Sequence, residues 1–229
     1  FDLSYKTEWW HVIKDQQEDI STYSKNTRNQ IRKGAQRFRA VASDKVTIAN
    51  DCYGIYRNTF LTYRTFEKLV TPLEFRTAIL ELPEGTEFWL IIDKESSEKV
   101  GFAENLLLND VCYFVSIWIL QESKRLYAGY NLIHEMNKYY LNEIKVQYIS
   151  DGARSITHDT NIQNHLQQKF KFRKSYTILH IVYAKWLQIV IAIIFPFRDI
   201  ILRLPIVFKE KLRILLFQES ITRASPGGQ

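Results

Sequence analysis

The chain has 229 residues, 46% of them hydrophobic and 14% aromatic, enough to bury one good core with room for an appendage. Eight glycines and five prolines exclude a fibrous or low-complexity chain, and two cysteines without metal-ligand spacing exclude a disulfide framework. The formal charge of +6 is unevenly placed: residues 25–39 hold six bases and no acid, and residues 185–223 hold seven bases against Asp199, Glu210 and Glu219. Such patches favour RNA, phosphates or lipid headgroups, although either one alone is also what a solvated helix face looks like.

The chain opens at Phe1 with neither an initiator Met nor a signal-peptide pattern, which reads as a trimmed or partial sequence. "TEWWHVIKD" (7–15) has the texture of a strand without neighbours. Residues 20–38 carry Ile20, Tyr23, Ile31, Ala35 and Phe38 at helical spacing, and Lys25, Arg28, Arg32 and Arg39 follow the same period as one basic stripe. "FRAVAS" (38–43) is a strand candidate, and residues 51–69 are helical by the spacing of Cys52, Ile55, Tyr56, Phe60, Tyr63, Phe66 and Leu69. Cys52 and Cys112 read as small buried apolar residues. "TPLEFRTAILEL" starts a second helix with Thr71 as N-cap, Pro72 at the first position and Glu74 completing a capping box.

Three strands come next at 87–93, 99–108 and 111–120, the last two joined by a tight Asn109-Asp110 turn. A long helical run places Leu126, Tyr130, Ile133, Met136 or Asn137, Tyr140 and Ile144 on one side. "KVQYIS" (145–150) is a strand, Thr160 with Gln163 caps the helix 161–170, and "KSYTILHIVYA" (174–184) closes as a strand. The order from 38 to 184 is β-α-α-β-β-β-α-β-α-β, an antiparallel meander meeting one parallel crossover. Such a sheet takes ligands where its strands diverge. Beyond Tyr183 the apolar run "WLQIVIAIIF" is too short to span a bilayer, for which about 20 residues are needed. Pro196 and Pro205 break the remaining segment into short pieces, and "IVFKEKLRILLFQESITR" is amphipathic with a basic face.

That element order, with the "HLQQKFKFRKSY" helix-to-strand join, resembles the GNAT acyltransferase superfamily and, within it, the Fem-type branch that transfers aminoacyl groups from tRNA. "SKNTRNQIRKGAQRFRAV" resembles the basic helix joining the two fused Fem-type domains. The resemblance implies an α+β fold, a mixed and splayed central sheet flanked by helices, with a C-terminal helical appendage. It divides the chain into an N-terminal strand remnant and linker helix (1–37), a GNAT-like acyltransferase domain (38–184) and the amphipathic appendage (185–229).

GNAT enzymes hold coenzyme A pyrophosphate on backbone N–H groups where a Gly-rich turn opens a helix. The matching stretch is Lys124-Arg125-Leu126-Tyr127-Ala128-Gly129, in which Lys124, Arg125 and Gly129 are the donor-binding candidates and Tyr127 replaces the first Gly. Lys171 likewise stands in the Gly slot of the family's join before the last strand. Fem-type enzymes commonly lack a good coenzyme A turn, so the substitution favours that branch.

Polar chemistry concentrates in "ISDGARSITHDT" (149–160), between a strand and a helix. Acyl transfer to an amine or hydroxyl needs a base for the acceptor proton and donors for the developing oxyanion. Asp151 and His158 suit the first, Arg154 and backbone N–H groups near Gly152 the second, with Gly152 expected at positive φ. The alternative is that Asp151 and Ser155 simply satisfy loop N–H groups. Glu104 and Asn105 interrupt an apolar strand, either facing solvent or lining the cleft with Ser155, Trp118 and Tyr176. His134 and His180 read as ordinary helix and strand residues. No Ser-His-Asp order, metal spacing or P-loop occurs.

The leading expectation is a Fem-like acyl- or aminoacyl-transferase acting on a small-molecule or envelope-precursor acceptor. Aminoacyl-tRNA or acyl-coenzyme A would be the donor, and Lys25, Arg28, Arg32 and Arg39 the polyanion contacts. The alternatives are a coenzyme A-dependent N-acetyltransferase with an altered phosphate turn, and a catalytically silent module binding RNA or membrane. Residues 185–223 are expected to touch the inner face of a membrane peripherally, to cover the core, or to form a homodimer, in a cytoplasmic protein.

Overall fold

The computed structural model describes residues 2–63, 68–156, 161–201, 203 and 209–224. After strand β1 (Trp9–Lys14), Ser24 caps helix α1 (Lys25–Arg37), its Oγ accepting from the Thr27 N–H at 3.1 Å. Buried Thr27, Ile31 and Gly34 mark the inward face of α1. Phe38 turns extended and opens strand β2 (Phe38–Ser43), so Arg39 lies on a strand and the helical stripe shortens to Lys25, Arg28 and Arg32. Asp44 then caps α2 (Lys45–Asp51), accepting from the Thr47 N–H at 2.8 Å. This short helix is hidden from apolar periodicity because only Ile48 and Ala49 of its residues are buried. Helix α3 (Tyr53–Phe60) comes next, and α4 (Pro72–Leu80) carries the expected capping box, with Thr71 and Glu74 satisfying each other's backbone N–H groups.

Strands β3 (Thr86–Asp93), β4 (Lys99–Leu108) and β5 (Val111–Ile119) extend β2 into an antiparallel meander. Asn109 and Asp110 both adopt left-handed φ, 49° and 61°, the requirement of a two-residue type I′ hairpin. The long helix expected next is broken. A short α5 (Gln121–Arg125) closes at Leu126, and Tyr127, with φ 67° and ψ 23°, is the N-cap of α6 (Ala128–Lys138). A π-helical turn (Tyr139–Ile144) then ends at left-handed Lys145. Strand β6 (Tyr148–Ala153) runs three residues beyond its expected end, so Asp151 and Gly152 are strand residues and not part of a connection. Helix α7 (Asn161–Phe170) leads to β7 (Arg173–Thr177), which stops well short of residue 184. The proposed cap residue Thr160 lies outside the described residues. The strand order is β2-β3-β4-β5-β6-β1-β7.

Contacts divide the chain into two compact units, residues 13–152 with 165–172, and residues 1–12 with 153–164 and 173–229. In the larger unit, Phe88, Leu90 and Phe102 on one sheet face pack against Tyr56, Phe60 and Phe75 of α3 and α4. On the opposite face the indole of Trp89 donates to the hydroxyl of buried Tyr140 at 3.1 Å. Burying each of these large side chains contributes about 1.5–3 kcal/mol. In the smaller unit Thr7 donates to the Thr177 carbonyl at 2.7 Å, and Leu3 N–H to that of Tyr176 at 2.8 Å. Helices α8 (Lys185–Ile194), α9 (Arg198–Ile201) and α10 (Lys209–Ala224) complete it, with Phe195–Phe197 forming a 3-10 turn. Leu187, Ile191 and Ile194 of α8 pack with Leu212, Leu215 and Leu216 of α10. Among the described residues no helix is long and apolar enough to cross a membrane.

Helices α1 and α6 meet at Gly34, where a Cβ would stand 2.4 Å from the Tyr127 carbonyl oxygen and 3.1 Å from the Asn131 Cβ. The neighbour is backbone and cannot swing aside. Gly34→Ala should therefore destabilise the protein by about 1–3 kcal/mol despite its better helix propensity, read as a lower denaturant midpoint at unchanged m-value.

Candidate active site on strands β4 and β5

Strands β5 and β6 run parallel but pair only over Val111–Tyr113 and Tyr148–Ser150. Among the described residues β5 continues to Ile119 beyond the end of its pairing with β6, which is the splay expected from the element order. The divergence coincides with an irregularity in β5. Asn105 pairs with Phe114 and Glu104 with Ser116, leaving Val115 as an extra residue, half exposed at 53%. Such a bulge bends and twists its strand. It also reverses the alternation of side chains: Phe114 shares the α6 face with Asn105, whereas Ser116 and Trp118 fall on the α3–α4 face with Glu104 and Phe102.

The result is a hydrogen-bonded row. The Trp118 indole N–H donates to Ser116 Oγ at 2.9 Å, and Ser116 Oγ donates to Glu104 Oε2 at 3.3 Å. Because an indole N–H can only donate, the single serine proton is free to point at the carboxylate. Burial pushes the Glu104 carboxyl above the usual carboxylate range, and the Ser116 hydroxyl pulls it partly back. Around the row, Trp118 meets Tyr56 edge-on at 4.9 Å and Tyr63 at 5.9 Å, and Lys124 Nζ stands 5.4 Å from the centre of the Tyr63 ring. Thr59 of α3 ties this wall to β5 by donating to the Ile119 carbonyl at 3.2 Å. A half-buried carboxylate of raised pKa, an aromatic wall and a cation thus converge in the larger unit. That set can accept a proton from an amine or hydroxyl and can hold an anionic or acyl group beside it.

The other expected residues fall elsewhere. Asn105, anticipated on the cleft wall, is fully buried beneath α6, donating to the Tyr140 hydroxyl at 3.2 Å and to Met136 Sδ at 3.4 Å. Alternation from buried Ile149 puts half-buried Asp151 on that same α6 side, opposite Glu104. Gly152 has the expected positive φ, +84°, but its N–H is engaged by Ser150 Oγ at 3.1 Å. Arg154, in the smaller unit, is held by the carbonyl of Glu8 at 2.8 Å and its carboxylate at 2.9 Å, against the Phe217 and Trp10 rings. Ser155 and Tyr176 also belong to the smaller unit, both half-buried. His158 lies outside the described residues. Ser116 and Tyr63 were missed by sequence reasoning; a lone serine in "VCYFVSIWIL" was the available signal.

At the start of α6, Tyr127 keeps the left-handed conformation that a Gly would supply, with Lys33 Nζ 6.0 Å from its ring. Arg125 is exposed, and Gly129 lies close under Ile119. Farther along the larger unit, Lys25, Arg28 and Arg32 line an open groove of about 750 Å³ with Ile20, Ser21, Asn26 and Asn29. Arg28 donates into the groove's own backbone, to the Ser21 carbonyl at 2.7 Å. Burial raises the thiol pKa of Cys52 to about 12 and that of Cys112 further, so neither is a nucleophile. Among the described residues no group of three His, Cys, Asp or Glu could hold a metal ion.

No protein-family model matches the sequence, and no curated protein matches it. In three dimensions the chain is similar to FemX, with a TM-score of 0.56 at 10% identity over 72% of this chain and 59% of that one. Weaker likenesses are to the C-terminal domain of a putative lysylphosphatidylglycerol synthetase from Agrobacterium fabrum (TM-score 0.46, 9% identity, 63% and 46% coverage). Another is to an aminoglycoside 6'-N-acetyltransferase from Acinetobacter baumannii (0.43, 13%, 64% and 98%). At such identities the likeness to FemX establishes a shared fold alone.

Ser116 serves two partners with one hydroxyl. Ser116→Ala should cost about 1–3 kcal/mol in urea unfolding, the penalty of leaving half-buried polar groups unsatisfied.

Proposed function

We propose that this chain is an acyl- or aminoacyl-transferase that acylates an amine or hydroxyl, with Glu104 as general base. The observation that carries the reading is the Trp118–Ser116–Glu104 row beside the parting of β5 and β6 on a GNAT-type sheet. In this reading the acceptor nitrogen or oxygen attacks the acyl carbon, its proton passes to Glu104, and the bond to the donor's oxygen or sulfur breaks. The proton is returned to the leaving group through solvent. Ser116 and Trp118 position the carboxylate, and Trp118 with Tyr63 offers an aromatic wall to the acceptor. An envelope or polysaccharide precursor is the acceptor class suggested by the Fem-type resemblance.

For the donor, aminoacyl-tRNA fits better than coenzyme A. Three cations, Lys25, Arg28 and Arg32, border one open groove, whereas in the family pattern Tyr127 takes the slot where backbone meets pyrophosphate. The second reading, a coenzyme A-dependent acetyltransferase, draws support from the left-handed turn that Tyr127 retains.

Transfer from candidate donors should depend on Glu104 ionisation, so kcat/KM should rise with pH along a limb above the normal glutamate range. Glu104→Gln should lower kcat about 100- to 10,000-fold and abolish that limb. Ser116→Ala removes the hydrogen bond that lowers the pKa and should move the limb to higher pH. The sign for stability is separate: a raised carboxyl pKa costs the folded state stability as pH rises through it, and Glu104→Gln should remove that loss. Unchanged rates in Glu104→Gln would remove Glu104 as the base, and no transfer by the unaltered protein from any donor would assign it to the catalytically silent class.

Lys25→Ala with Arg32→Ala should weaken RNA binding and reduce the slope of log K against log salt by roughly 0.7 to 0.9 for each phosphate no longer neutralised, with Arg39→Ala as a strand control. Acetyl-coenzyme A should bind weakly or not at all, and better after Tyr127→Gly. Micromolar binding to the unaltered protein in calorimetry, without RNA affinity at low salt, would replace the tRNA reading by the acetyltransferase.

A further inference from the structure

We propose that the outward face of α8 and α9 is a docking surface for an anionic lipid bilayer. Helix α8 is apolar nearly all round, yet only one side is covered: Leu187, Ile191 and Ile194 pack with α10. The other side leaves Trp186 67%, Ile189 63%, Val190 41% and Ile193 63% exposed. The stripe continues past Pro196 through Phe197 and Ile200, at helical spacing. A helix apolar on all sides is ordinarily buried, so a contiguous exposed face of this kind marks a contact surface.

Charge selects the occupant. Exposed Lys185 precedes the stripe and exposed Arg203 comes after it, with exposed Lys211 and Arg213 on α10. Arg198 lies over the Phe195 ring, and exposed Asp199 is the acid within the stripe. A second copy docked stripe to stripe in antiparallel fashion would set Lys185 of each chain near Arg203 of the other, which like charges oppose. An anionic leaflet accepts Lys185 and Arg203 at the two ends of the stripe while its acyl boundary receives the isoleucines and the indole. Ten residues of α8 span about 15 Å, half of a bilayer core, so the helix lies along the surface.

The test is co-flotation of the full chain with phosphatidylcholine vesicles, alone or mixed with phosphatidylglycerol. Binding to the mixed vesicles, weakening with salt, is expected. Ile189→Ser with Ile193→Ser, both exposed positions, should reduce it at least about tenfold with unchanged circular dichroism. Lys185→Ala and Arg203→Ala should each reduce it about fivefold. Absence of flotation by folded protein overturns the proposal. So does equal binding to both vesicle types with no effect of the lysine and arginine changes. A dimer in sedimentation that the isoleucine changes dissociate, without vesicle binding, assigns the face to a second copy.

Discussion

Side-chain parity along β5 decides what the candidate site contains. A regular hairpin closed at Asn109-Asp110 would set Val115 opposite Glu104 and leave Ser116 on the α6 face. The extra residue at Val115 shifts that count by one, so Ser116 and Trp118 arrive on the side of Glu104 and Phe102. The same bulge sits where β5 leaves β6 after three paired residues. One irregularity is thus associated with both the opening in the sheet and the polar row beside it.

Polar groups on the opposite face play a different part. Asn105 and Trp89 share the Tyr140 hydroxyl in a buried layer beneath α6. Interior hydrogen bonds of this kind fix geometry, since leaving any member unpaired is costly. Adjacent residues on one strand, Glu104 and Asn105, therefore face opposite sides of the sheet: the carboxylate accepts from Ser116, and the amide donates to Tyr140 in the core.

Backbone conformation at Tyr127 shows a related economy. A left-handed non-glycine residue is costly and persists where its surroundings hold it. Here α1 approaches so closely that Gly34 contacts the Tyr127 carbonyl, which in turn accepts from the Tyr130 and Asn131 N–H groups. The turn that opens α6 is thus held by packing against the basic helix, the element carrying Lys25, Arg28 and Arg32.

The sequence by itself determined the meander, its Asn109-Asp110 turn, the Thr71–Glu74 capping box and the helical nature of α1, α4 and the tail, because these arise from local periodicity and local hydrogen bonds. It also supplied Glu104 and Trp118 as candidates by residue type, and Lys124 through the resemblance to the family's phosphate-binding turn. Only tertiary structure decided which of them meet. The Val115 bulge has no local signature, so Ser116 could not be paired with Glu104 by counting from the turn. The longer reach of β6 put Asp151 on the far side of the sheet from Glu104, and the end of α1 at Arg37 detached Arg39 from the stripe. Arg154 is met by Glu8, a residue 146 positions away, and contacts so distant in sequence leave no mark on the pattern around either partner.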